Sequence, residues 1–434
     1  MTQRNSYLFT DIKTACNGCR ACEQICQHHA IQMIEDAEGF LYPNRDLSKC
    51  TDCGLCDIKC PMNAQIKTKK ETFTPRYFAI WPKKEDFQLT QDCATMGLST
   101  MIAQYVLRQG GVVYGVVLDN DKQRAVHVRI LTEEEQVPMR NSKYLQSDVN
   151  NTYVQVKEDL LQGKFVYYTG TPCQIAGLKQ YLKRDYDTLI TMDVICHGVF
   201  SYKLYQEELK YWQHKYQGNI LNFRFRGKGR FPYSIGGLVN FDVEKKGKTK
   251  HVDVPAKFSP VYHCYAYSED GVNYIHRPSC YDCKFRSIER VGDLTIGDFH
   301  GRRQCHADKI VFEMEKYGVS AVIVSSQNGM NLLEKILSRV NYFETDKQAI
   351  CVQPALIGTE REMPPKRAYI YNNIGKEPFE DIVNKYIFSE DYAAKCEKWV
   401  QHYLWKTNFS LFLLAHPALL SILRHIKHTL HKHD

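Results

Sequence analysis

Two cysteine runs of one form open the chain: Cys16-x2-Cys19-x2-Cys22-x3-Cys26 and Cys50-x2-Cys53-x2-Cys56-x3-Cys60-Pro61. Three thiols at two-residue intervals let a tight loop wrap three corners of an iron–sulfur cubane, and the fourth reaches across to a neighbouring cluster. That rule assigns Cys16, Cys19, Cys22 and Cys60 to one [4Fe–4S] cluster and Cys50, Cys53, Cys56 and Cys26 to a second. Zinc also accepts Cys-x2-Cys pairs, but it requires neither the third cysteine nor the Cys-Pro ending. So small a segment scarcely folds without its metals. Residues 1–70 are therefore read as a bacterial-type ferredoxin domain, separable from the rest. Cys26 is followed by Gln27-His28-His29 where bacterial ferredoxins usually place proline. This alters the turn rather than the ligand set, and both histidines are read as solvated.

At 434 residues, 44% hydrophobic and 24% charged, the chain has globular usage and room for two or three folded units. A net charge of +8, with no Lys/Arg block interleaved with aromatics, argues against nucleic-acid binding. Seventeen cysteines behind a polar Met1-Thr-Gln-Arg4 start suit metal binding in a reducing, cytoplasmic compartment better than a disulfide scaffold.

Lys67-Thr-Lys-Lys-Glu-Thr72 lacks apolar periodicity and reads as a linker. From Tyr77 onward, runs read as strands (Val112–Leu118, Phe165–Tyr168, Leu189–Ile195, Ala321–Val324) alternate with helical patterns at Thr100–Leu107, Gln174–Leu182, Lys203–Trp212 and Met330–Leu337. A hairpin is expected from Gly237–Val243 and Lys250–Val254 around Lys246-Gly247-Lys248. The expected fold class is α+β: the ferredoxin domain (1–70), an α/β domain with a mixed sheet in two parts (77–155 and 156–370), and a helical C-terminal tail (371–434).

A second cysteine set is scattered. In Phe165-Val-Tyr-Tyr-Thr-Gly-Thr-Pro-Cys-Gln174, Thr171 suits a helix N-cap and Pro172 the first helical position. Cys173 then sits in the first turn, where the helix dipole favours a thiolate. Strand Leu189–Ile195 ends in Cys196-His197-Gly198, and ligands of α/β sheets gather beyond strand C-termini. Arg277-Pro-Ser-Cys280-Tyr-Asp-Cys283 and Gly292-Asp-Leu-Thr-Ile-Gly-Asp298-Phe-His-Gly301 follow. Cys93, Cys264, Cys305, Cys351 and Cys396 read as core or surface thiols.

With Ser142-Lys-Tyr-Leu-Gln-Ser147, Thr169–Gly177, Asp193–Gly198, Cys280-x2-Cys283 and Leu294–Asp298 in this order, roughly residues 77–340 resemble the coenzyme F-420 hydrogenase/dehydrogenase beta-subunit family. The resemblance extends to bacterial members with a fused ferredoxin that are associated with polysaccharide biosynthesis. It implies a flavoprotein with FAD and a third [4Fe–4S] cluster, passing electrons between iron–sulfur centres and a hydride acceptor such as a deazaflavin. On matching positions it implies Cys173, Cys196, Cys280 and Cys283 as ligands of that cluster, and a flavin site that includes Gly97, Lys143, Ser147, Gly170 and Thr171. Lys143 would offset phosphate or reduced-flavin charge.

Two positions depart from the family pattern. Relatives carry Ser-Ser-Gly-Gly where this chain has Ala94-Thr-Met-Gly97, so Met96 stands where the backbone is expected to be open. His300 replaces a tryptophan common in relatives; it reads as a polar loop residue or as a proton donor beside the flavin. Phe409–Leu423 is apolar but too short to span a bilayer, and Pro417 interrupts it before a basic, His-rich end. It fits packing on the core or a partner, or an anchor at a membrane surface. Two functions remain open: an oxidoreductase fed by a ferredoxin-like partner and acting on a small molecule, or a non-catalytic electron-transfer subunit docked on a partner enzyme.

Overall fold

The computed structural model describes residues 4–64, 73–228, 237–267, 273–358 and 361–388, with single positions from 398 onward. Its strands are β1 (Ile31–Glu35), β2 (Leu41–Arg45), β3 (Arg76–Pro82), β4 (Val112–Asp119), β5 (Arg124–Ile130), β6 (Val166–Gly170), β7 (Leu189–Val194), β8 (Asn219–Gly227), β9 (Leu238–Lys245), β10 (Lys248–Pro255), β11 (Leu294–Asp298), β12 (Ser320–Val324) and β13 (Val340–Thr345).

An eight-stranded mixed sheet, ordered β13-β3-β12-β11-β7-β6-β4-β5, forms the centre. Its middle strands β4, β6, β7 and β11 run parallel, and the pairs outside them are antiparallel. Strands β6 and β12 are buried along their whole length, as both-face burial requires. Side chains alternate between faces. Val113 and Tyr167 meet the helices Leu98–Arg108 and Gln327–Leu337, whereas Val112, Tyr114, Val166 and Tyr168 meet Thr152–Leu161 and Pro172–Leu182. The residues on either side of position 155 thus contribute to one sheet, and the helix Thr152–Leu161 runs through that position.

The expected hairpin is β9–β10, closed by Lys246 and Gly247 at φ 51° and 70°. Positive φ at both central residues gives the turn whose twist matches its strands. β8 completes a three-stranded sheet. Strands β3, β5 and β13 were not anticipated. β3 mixes aromatics with an arginine and ends at Pro82, and its identity comes from pairing with β12 and β13, more than 200 residues away in sequence.

The N-terminal lobe is seated in this core. Met33, Phe40, Leu41 and Tyr42 are buried in the same apolar cluster as Leu145, Phe200, Tyr202 and Trp212, and Cys19 and Ala21 join the cluster of Tyr153 and Ile175. Ion pairs reinforce the seat: Arg367 Nη1 donates to Glu38 at 2.9 Å, and Arg20 Nη2 to Asp148 at 2.8 Å. A lobe with little apolar surface of its own gains burial by sharing.

The linker segment lies outside the described residues from 65 to 72, as does nearly all of Phe409–Leu423. Helices Pro365–Asn373 and Phe379–Ile382 begin the C-terminal region. Among the described residues no helix is long and apolar enough to cross a membrane.

Candidate iron–sulfur and cofactor site

The two N-terminal loops curl through left-handed residues, Gly18 and Arg20 in the first and Asp52 and Gly54 in the second, at φ between 55° and 71°. Tight reversals of this kind draw thiols two residues apart round a common space. Cys16, Cys19, Cys22, Cys56 and Cys60 line one cavity, and Cys26, Cys50, Cys53 and Cys56 line a second, so that Cys56 borders both. The fourth cysteine of each run therefore crosses to the other loop's cavity. Cys53 is exposed, and so are His28 and His29. Among the described residues, no group of three or more His, Cys, Asp or Glu side chains is set to hold a single metal ion; the thiols stand around spaces instead.

The scattered cysteines also converge. β6 and β7 are adjacent and parallel, so Cys173 and Cys196, just past their ends, lie at one sheet edge. Cys280 and Cys283 arrive on the short helix Pro278–Tyr281 and the turn after it. All four line one cavity. Behind it, Asp193 at the end of β7 accepts from Arg290 Nη2 (2.8 Å), Thr295 Oγ1 (2.7 Å) and the Gly292 N–H (2.8 Å), locking β7 to the loop before β11. Both partners of that ion pair are almost fully shielded from water.

Burial pushes the Cys173 thiol up to about 12 and Cys196 to about 11, and raises Cys280 well above the usual thiol range. Burial acts likewise on Cys19, Cys22 and Cys60. Inert as free thiols, these groups become thiolates when a metal displaces their protons. Four soft donors around a shared space fit a four-iron cluster at each of the three sites.

A larger cleft, of about 300 Å³, shares a wall with the third cavity through Ser147, Thr171, Gln174, Cys196, His197 and Gly198. Gly97, Lys143, Ser147, Gly170 and Thr171 all line it. Gly97 (φ 83°) starts the helix Leu98–Arg108 without a side-chain cap, leaving first-turn N–H groups at the cleft beside Arg140 and Arg226. That donor set suits an anionic cofactor such as a dinucleotide. Met96 does not obstruct it. The turn at Gly97 sends its side chain into the core with Phe78, Ile80 and Met101, fully buried and away from the cleft lining.

Lys143 is placed differently from expectation. Its ammonium donates to the carbonyls of Pro138, Met139 and Arg140 at 2.8–2.9 Å, occupying its three donors, and burial lowers it to about 7. It contributes to the wall rather than offering a free hydrogen bond. Ser147 is engaged too, accepting from Gln174 Nε2 at 2.9 Å, while Thr171 Oγ1 lies 3.1 Å from Cys173 Sγ. His300 is exposed and lines neither cavity. Cys93, read as an ordinary thiol, is buried at the cleft wall; Cys264 is buried, Cys305 exposed, Cys351 partly covered, and Cys396 lies outside the described residues.

Sequence reading gave no role to Arg277, Gln146, Asn17 or Met62, which line the third cavity. Asn17 and Met62 also line the first N-terminal cavity, so the two sites share a wall. The signal for Arg277 was its place three residues before Cys280.

Residues 163–349 match the sequence model of a family described as the C terminus of the coenzyme F420 hydrogenase/dehydrogenase beta subunit, and residues 15–64 match that of a 4Fe-4S dicluster domain. No protein with a curated description matches. Among solved structures, a chain from the F420-reducing [NiFe] hydrogenase complex of Methanosarcina barkeri is similar at 14% identity, covering 65% of this chain and 87% of that chain with a TM-score of 0.39. An N-terminal iron–sulfur dicluster domain joined to this C-terminal family domain marks an electron-transfer protein of oxidoreductase type.

Proposed function

We propose that the chain is an iron–sulfur flavoprotein oxidoreductase with two clusters in the N-terminal lobe (1–70), a third on the sheet edge, and FAD in the adjoining cleft. The observation that carries this reading is the shared wall: Cys173, Cys196, Cys280 and Cys283 line one cavity, and Cys196 also lines the cleft beside it. FAD, when bound, supplies the exchange between single electrons and a two-electron organic substrate. The protein's part is positional. Gly97 and the first turn after it would face the anionic portion of the cofactor, Thr171 and Ser147 border both spaces, and Arg140 and Arg226 stand at the rim, paired with Asp92 and Asp298. The exposed Cys53 marks the lobe surface where a ferredoxin-like partner would exchange electrons.

The second reading is an electron-transfer subunit that touches no substrate, and the engaged ammonium of Lys143 is the observation in its favour. Anaerobic purification of the full chain, with iron, sulfide and flavin quantified, separates the two. About twelve irons and a retained FAD that bleaches on addition of reduced ferredoxin support the oxidoreductase. About twelve irons with no FAD retained at micromolar concentration favour the subunit reading, and about eight irons reject the third cluster.

A further inference from the structure

Arg277 is fully buried, and its guanidinium keeps its charge at any working pH. Nε donates to the Cys16 carbonyl at 2.8 Å, Nη1 to the Gln146 amide oxygen at 2.7 Å and Nη2 to the Leu41 carbonyl at 2.9 Å, with Cys16 Sγ 3.6 Å from Nη2. None of these partners is a carboxylate. The rings of Tyr42 and Phe40 cover the group, their centroids 4.0 and 5.5 Å from the guanidinium carbon. Two other buried arginines are paired with acids, Arg290 with Asp193 and Arg367 with Glu38, while a third, Arg286, lines the same cavity as Arg277 and donates from Nη2 to the Cys280 carbonyl at 3.2 Å, on the side away from the N-terminal lobe's Cys16 contact. A buried cation among neutral acceptors is strongly unfavourable unless negative charge stands near it.

The titratable groups acting on Arg277 are Tyr42, the thiols of Cys16 and Cys280, and Asp36, whose carboxylate is already paired with Lys13 at 2.6 Å. On one side is Cys16 of the first N-terminal set; on the other, Arg277 lines the cavity of Cys173, Cys196, Cys280 and Cys283. We propose that Arg277 is the shared counter-ion of the first N-terminal cluster and the third cluster, a fixed positive charge between them that favours the reduced form of both. This rests on the third-cluster reading above. Four thiolates leave an iron–sulfur cubane with net negative charge, and reduction adds one electron with no proton to offset it. A permanent cation therefore stabilises the reduced form more than the oxidised form, and the reduction potential rises. Because one charge faces both sites, it also offsets the repulsion between two anionic centres that share a wall. Lys284, whose Nζ donates to the Met62 and Ala64 carbonyls at 2.8 and 2.7 Å, lies at the same boundary, but it is only half-buried and its field is screened by water.

The test is a reductive titration of the full chain, anaerobically purified with its clusters and followed by electron paramagnetic resonance, with iron counted per chain. Arg277→Gln should make reduction of the two inner clusters at least tenfold less favourable, about 59 mV lower for a one-electron couple. The outer cluster of Cys26, Cys50, Cys53 and Cys56 should be unmoved, and Arg277→Lys should retain most of the wild-type potential. A purely structural role would move the Gln and Lys variants alike. Gln146→Glu places a carboxylate against Nη1 and should lower the same two potentials, so it decides the matter if Arg277→Gln fails to load iron. Unchanged potentials in a fully loaded Arg277→Gln, or in Gln146→Glu, overturn the proposal; so does an equal shift of all three clusters. If wild type holds only about eight irons, the third-cluster reading fails by itself, and the shift of the first cluster still tests the counter-ion.

Discussion

The N-terminal cysteine loops and the sheet-edge cysteine set surround spaces of similar chemistry but are built in opposite ways. Each N-terminal run draws three thiols from seven consecutive residues, shaped by left-handed turns at Gly18, Arg20, Asp52 and Gly54, and leaves Cys53 exposed. The sheet-edge set draws Cys173 and Cys196 from the ends of neighbouring parallel strands and Cys280 and Cys283 from a distant turn, all behind the buried Asp193–Arg290 pair. In the first case a short loop needs metal to hold its shape. In the second, the sheet holds the thiols in place by itself. On the reading proposed above, the difference separates a site whose metal would be part of its folding from one whose metal would be received by a frame already built.

The largest expected effect tests that contrast directly. Cys280→Ala in the full chain should remove about four irons and leave the N-terminal iron and the melting temperature nearly unchanged, whereas Cys53→Ala should disturb the outer cluster and also loosen the lobe. Iron and sulfide per chain, read beside a thermal melt, check both; equal destabilisation by the two variants would break the comparison. Next in size, Asp193→Asn leaves Arg290 buried without its acid and should cost about 3–5 kcal/mol. Thermal unfolding measures it, with loss of the third cluster before the other two. Gly18→Ala is smaller, about 1–3 kcal/mol for a side chain in the left-handed region. Its Cβ would also meet Gln146 Nε2 at 2.3 Å, so faster hydrogen exchange across residues 16–26 is the readout. Smallest is Lys284→Met, about 1 kcal/mol from two lost carbonyl contacts, seen as increased proteolysis near residues 62–64 without loss of iron.

What the sequence made legible follows the same division. Cys-x2-Cys-x2-Cys is a local pattern, and the spacing alone led to the two loops. Thr171-Pro172 located the start of a helix, and β6 and β7 were readable as buried apolar runs, so Cys173 and Cys196 were correctly expected at one edge. Quantities that depend on surroundings were misread. Met96 was judged from its neighbours in sequence, but the left-handed Gly97 turns it into the core. Lys143 was credited with a free charge, although three carbonyls within five residues accept hydrogen bonds from its ammonium. Arg277 went unnoticed because nothing local says that a charged side chain will be buried between two rings of thiols.

The seating of the N-terminal lobe in the main core has a consequence for synthesis on the ribosome. Glu38 is paired with Arg367, 329 residues later in the chain. At about 5–20 residues per second, that partner emerges roughly 16–66 s after Glu38. Arg277, whose side chain donates to the Cys16 carbonyl across 261 residues, follows its own partner by about 13–52 s. For most of that interval, once Cys60 has emerged, both cysteine loops are complete while the surface that covers Met33, Phe40 and Tyr42 has yet to be made.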